Sequence, residues 1–115
     1  MIDELFKSGK TFSFFPLRAY YLLQNGVEEG ILQFGCGASK KHFKKAVDRN
    51  RIKRLMREVY RIEKGILQNE LIEKKEKSLR LFVIYTGKEL PDYYLIKEKM
   101  LEVLGRIKTE IKKEL

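Results

Sequence analysis

Ten basic side chains crowd into the 22 residues from Lys40 to Arg61. They are Lys40, Lys41, Lys44, Lys45, Arg49, Arg51, Lys53, Arg54, Arg57 and Arg61, faced by only Asp48 and Glu58. The segment holds +8 of the chain's formal +9, and the remainder, with 15 basic and 14 acidic groups, is nearly neutral. Clustered Arg and Lys supply neither a nucleophile nor an acid–base pair. They bind anions, because a planar guanidinium grips phosphate oxygens two at a time and stacks on exposed bases. The other chemistries lack parts. His42 and Cys36 are the single residues of their kinds, so no histidine pair or zinc cluster can be assembled. The carboxylates are scattered, with no quartet of the kind a self-sufficient metal-dependent nuclease needs. A polyanion or an acidic membrane surface is the class of partner that remains.

The spacing sharpens this. With Asn50 set at zero and about 100 degrees per residue, Ile52, Leu55, Met56 and Val59 fall between roughly 140 and 240 degrees. Asn50, Lys53, Arg54, Arg57 and Arg61 fall within about 60 degrees of zero. One face of a helix would dock on a core while the other presents a cationic ladder. A basic helix face is often no more than solvated surface. Here Glu58 can answer only Arg54 or Arg61, and crowded like charges repel on a helix, which suits a polyanion arriving from outside. Binding of that kind is strongly salt-sensitive: six to ten phosphate contacts cost roughly three to five decades of affinity between about 50 and 200 mM salt on duplex DNA.

The elements that must carry this helix are also readable. Ile2 to Ser8 suits a short helix ended by Gly9. Strands are expected over Thr11–Phe15, Leu17–Leu23 and Gly30–Ala38, with Pro16 interrupting the first two and Gln24-Asn25-Gly26 opening a turn. The third alternates: Leu32, Phe34, Cys36 and Ala38 on one face, Gln33, Gly35 and Gly37 on the other. Bare glycine backbone on one face weakens a strand unless a packed neighbour or a ligand comes close, and periodicity does not choose between them. The basic helix runs from about Ala46 to Lys64 and on towards Asn69. Leu79 to Tyr85 is a nearly continuous apolar run, as in a strand buried on both faces. Pro91 and Asp92 then start a last helix, with Asp92 as N-cap and an inner stripe of Ile96, Met100, Val103, Leu104, Ile107 and Ile111. The order α-β-β-β-α-β-α predicts a single α+β domain over residues 1–115, with helices packed on a central sheet. Hydrophobic residues at 43% suffice for one core. No run approaches the roughly 18 apolar residues of a membrane span, Met1-Ile2-Asp3-Glu4 lacks the order of a signal peptide, and a lone cysteine suits a reducing cytoplasm.

Ser39-Lys40-Lys41, seven further residues, then Arg49-Asn50-Arg51-Ile52-Lys53-Arg54-Leu55-Met56-Arg57-Glu58 closely resembles the signature of the protein subunit of bacterial ribonuclease P. The resemblance spans the chain, most strongly from about Gly35 to Arg61. It implies a sandwich like the second domain of ribosomal protein S5, with a left-handed βαβ crossover where the general rule expects a right-handed one. It implies an enzyme subunit without catalytic residues of its own, acting in the cytoplasm. Such a subunit assists a catalytic RNA that cuts the 5′ leader from precursor tRNA, one protein per RNA, with Mg²⁺ used by the RNA–protein enzyme rather than by a dedicated protein site. Lys40, Lys41, Arg49, Asn50, Arg51, Lys53, Arg54, Arg57 and Arg61 would then grip the catalytic RNA. Phe6, Arg18, Tyr20 and Gly37 would line a cleft for the single-stranded leader, with the glycine face as its floor. Phe6 and Tyr20 could equally be core, and Tyr21 takes the place of Tyr20 if the register slips by one. The sequence departs from the family in three places. It opens almost inside the first helix, where relatives carry a longer basic segment. His42-Phe43-Lys44-Lys45 replaces a small glycine-containing turn, and Gly37 stands where a cleft-facing polar residue is usual.

Overall fold

The computed structural model describes residues 9–25, 32–73 and 77–113. The helix expected over Ile2–Ser8, and Phe6 with it, lies outside the described residues. Four strands, β1 (Lys10–Phe14), β2 (Leu17–Asn25), β3 (Leu32–Ala38) and β4 (Lys77–Tyr85), join helices α1 (Ala46–Glu63), α2 (Gly65–Glu73) and α3 (Tyr93–Lys113). The sheet order is β1-β2-β4-β3, so β1 and β3 form its edges. β2 is antiparallel to both β1 and β4, whereas β3 and β4 run parallel and are joined by the α1–α2 crossover.

The helix pattern of the last segment is realised in full. All six residues of the expected α3 stripe are buried, at 1% exposure or less. Asp92 caps the helix, its Oδ1 accepting the Leu95 N–H at 2.8 Å. Removing such a cap orphans a backbone donor, so Asp92→Ala should lower stability by about 1 kcal/mol in denaturant unfolding. The basic helix stops earlier than its pattern suggested. The chain turns at Lys64, whose N–H donates to the Tyr60 carbonyl and whose own carbonyl accepts from Leu67 and Gln68 to start α2. Gly65, a poor helix former, stands at the break.

One expectation is overturned. β4 is buried on one face only: Leu79, Leu81, Val83 and Tyr85 are at most 3% exposed, while Arg80, Phe82 and Ile84 are half-exposed. A continuous apolar run does not distinguish a strand covered on both sides from one whose second face is only partly covered. The core forms on the covered side. Leu17, Ala19, Tyr21 and Cys36 join the β4 residues there, against Ile52, Met56 and Val59 of α1 and the α3 stripe. Tyr60 of α1 stacks flat on Phe34 of β3, with ring centroids 3.8 Å apart and planes at 6°. That contact fixes the rotation of the basic helix about its axis.

Candidate nucleic-acid interface

The loop before α1 is built to hold lysines outward. Phe43 is 6% exposed and lies against the Tyr85 ring, centroids 5.9 Å apart. Its N–H donates to the Ser39 carbonyl at 3.0 Å, and the Lys41 N–H donates to Ser39 Oγ at 3.1 Å. Arg49 reaches back from the helix, its Nη1 donating to the carbonyls of Phe43 and Lys44 at 2.7 and 2.9 Å. With the loop pinned at Phe43, Lys40, Lys41, Lys44 and Lys45 all remain exposed, and His42 is half-buried. The helix begins at Lys45 without a side-chain cap.

Along α1, Asn50, Arg51, Arg54, Arg57 and Arg61 are exposed, and Lys53 is half-buried. Because Ile52, Met56, Val59 and Tyr60 point into the core, these cations have only the outward face available. Arg61 is partly spoken for. It binds Glu58 at 2.6 Å one turn away, which holds the glutamate below its ordinary pKa. Both groups are solvated, so the pair adds little stability, but it lessens the charge Arg61 can offer. Arg51, Arg54 and Arg57 make no ion pair among the described residues. Cys36 Sγ–H donates to the Lys53 carbonyl at 3.6 Å. Burial pushes this thiol up in pKa, and the neighbouring Arg57 and Lys53 oppose the shift. The same contacts press the basic helix against edge strand β3.

The opposite side of β3 belongs to a second surface. Register places Tyr20 beside Phe82 and Phe82 beside Gly35, forming one row across three strands. Arg18, Ile84 and Gly37 form the row on one side of it, and Leu22, Arg80 and Gln33 the row on the other. Three of the four expected cleft residues, Arg18, Tyr20 and Gly37, therefore share one sheet face, whereas the fourth, Phe6, is not described. Tyr21, the alternative to Tyr20, is 7% exposed and packs edge-on against Phe12 in the core. The glycine face is not a bare floor. A Cβ on Gly35 would stand 2.7 Å from Phe82 Cδ2 and 2.9 Å from Cε2, while one on Gly37 would lie 3.6 Å from Cζ. The Phe82 ring thus lies over Gly35, a packed neighbour rather than a vacancy. Sequence reasoning passed over Phe82 and Ile84, because an apolar run on β4 hid its own alternation.

Among the described residues, no three His, Cys, Asp or Glu side chains converge as metal ligands, and no helix is long and apolar enough to cross a membrane. A family model described as Ribonuclease P matches residues 1–108. A Porphyromonas gingivalis protein named Ribonuclease P protein component is 36% identical over 106 residues, spanning 92% of this chain and 77% of that one. The solved RNase P protein from Thermotoga maritima is similar with a TM-score of 0.71 and 27% identity, covering 91% of this chain and 89% of that one. The Staphylococcus aureus RNase P protein shares the fold, with a TM-score of 0.69 and 21% identity over 92% of this chain and 87% of that one. The α+β sandwich expected from the sequence is the fold of these proteins. The chain belongs to the ribonuclease P protein family.

Proposed function

We propose that the chain works as the protein component of a ribonuclease P assembly, binding a catalytic RNA through α1 and a precursor tRNA leader through the sheet. The observation that carries this reading is the outward row of Arg51, Arg54 and Arg57, cations without ion-pair partners among the described residues. Together with Lys40, Lys41, Asn50, Lys53 and Arg61 they offer phosphate oxygens both forked and single donors. Arg49 serves the same surface indirectly, by tying down the lysine loop. On the sheet, Tyr20 and Phe82 supply rings, Arg18 a cation and Gly37 backbone. An aromatic and cationic groove holds a single strand with little base preference, since every base has a stacking face. The chemistry belongs to the RNA and its Mg²⁺. The protein raises the local concentration of substrate and neutralises charge where two polyanions meet, in the cytoplasm and with one protein per RNA.

Reconstitution tests this. Adding the chain to a bacterial ribonuclease P RNA and precursor tRNA at low Mg²⁺ should accelerate 5′ cleavage, and no acceleration overturns the reading. Tyr20→Ala in the same assay should narrow the preference for leader-bearing precursor over mature tRNA.

A further inference from the structure

At the end of the sheet where β2 begins and β4 finishes, a cavity of about 560 Å³ opens between the Phe15–Pro16 turn and the segment joining β4 to α3. It lies within the usual size of a small-ligand site, and neither surface described above uses it. Its walls are held in place by hydrogen bonds to backbone carbonyls. Thr86 donates to the Pro16 carbonyl through both N–H (2.7 Å) and Oγ1 (3.0 Å), and Tyr85 Oη donates to the Glu89 carbonyl at 2.6 Å. Gly87 is required there, because a Cβ would meet Tyr85 Oη at 2.5 Å.

The lining has a definite chemistry. Pro16, Leu90 and Leu95 make apolar sides, and Phe15 stands at the cavity 73% exposed. Two carboxylates, Glu89 and Asp92, line it against a single cation, Lys88. A phosphate would be repelled here. A flat ring carrying N–H donors would stack on Phe15 and donate to the carboxylates, as cytosine donates its amino group to Glu or Asp. The polyanion to which such a ring would belong has a place next door. Tyr85, in the cavity wall, touches Phe43, the anchor of the exposed loop that carries Lys40, Lys41, Lys44 and Lys45.

We propose that this cavity is a pocket for one unpaired, amino-bearing nucleobase, adenine, cytosine or guanine, of an RNA whose backbone crosses the lysine loop. The proposal rests on the RNA-binding reading above and adds a base preference to it. The test uses the whole chain and short homopolymers of adenylate, cytidylate and uridylate. Adenylate and cytidylate should shift the backbone amide signals of Thr86, Gly87 and Lys88 in two-dimensional NMR, and uridylate, which lacks the amino group, should shift them much less. Phe15→Ala should cut adenylate affinity roughly tenfold, within the range of a lost base–aromatic stack. Glu89→Gln should bring the three homopolymers closer together. Wild-type binding that leaves these amides unmoved, or that Phe15→Ala does not weaken, overturns the pocket and leaves the RNA reading intact. An uncharged apolar peptide that shifts them as strongly as adenylate also overturns it. Failure of all three homopolymers to bind overturns both.

Discussion

Arg54→Ala combined with Arg57→Ala should weaken binding to a ribonuclease P RNA roughly a hundredfold, with an unchanged melting temperature. Hydrogen bonds to charged groups are worth about 1.5–3 kcal/mol each, and about 1.4 kcal/mol is tenfold in affinity. Two lost phosphate contacts therefore reach two decades even if neighbouring cations recover part of the loss. Both arginines are exposed, and surface changes of this sort usually stay within about 0.5 kcal/mol of stability. The salt dependence adds a separate check. The slope of log affinity against log salt should flatten by about one unit per lost contact. Unchanged affinity measured at an unchanged melting temperature would remove this helix face from the interface.

Gly35→Ala should cost about 1–3 kcal/mol of stability, the usual penalty for forcing a methyl group into a filled site. In a domain of this size that lowers the melting temperature by several degrees. The new Cβ would stand 2.7 Å from Phe82 Cδ2, at the middle of a rigid ring rather than at the tip of a flexible chain. Gly37→Ala is the internal control: its nearest Phe82 atom lies 3.6 Å away, an ordinary contact, and the change should be tolerated. Phe82→Leu should rescue Gly35→Ala in a double-mutant cycle, because neighbours that share one space are not additive. Displacement of the ring should also weaken leader binding, since Phe82 lies beside Tyr20. If Gly35→Ala melts with the wild type, the ring is not seated as described.

The parts of this protein legible from sequence are those set by local periodicity or local chemistry. The α3 stripe follows from spacing along one helix, and every member is buried. Asp92 as N-cap follows from its type and from Pro91 before it. The cationic face of α1 follows from counting charges and turning a wheel. What escaped reading depends on pairing between distant segments. Phe82 matters because register sets it between Tyr20 and Gly35, and neither neighbour lies near it in the chain. The glycine strand left two explanations open, and only the position of a ring from another strand decides for packing at Gly35. The choice of Tyr20 over Tyr21 likewise needed the side of the sheet that α3 covers. Arg49 looked like one more phosphate ligand, whereas its bonds to the carbonyls of Phe43 and Lys44 also make it a brace for the loop.

Edge strand β3 has a consequence for the protein when no RNA is present. Among the described residues it pairs only with β4, and an unpaired strand edge is a template on which another chain can add a strand and begin to aggregate. Beside that edge runs α1, carrying six basic side chains against three acidic ones. Two copies approaching edge to edge would bring like charges together, so the cations proposed to bind RNA also keep unbound molecules apart. This guard is electrostatic and fades with ionic strength, as the screening length shortens from about 10 Å at 0.1 M salt to about 3 Å at 1 M. On the proposed reading, colloidal stability and affinity for RNA draw on one row of side chains, and trimming the row for either purpose alters the other.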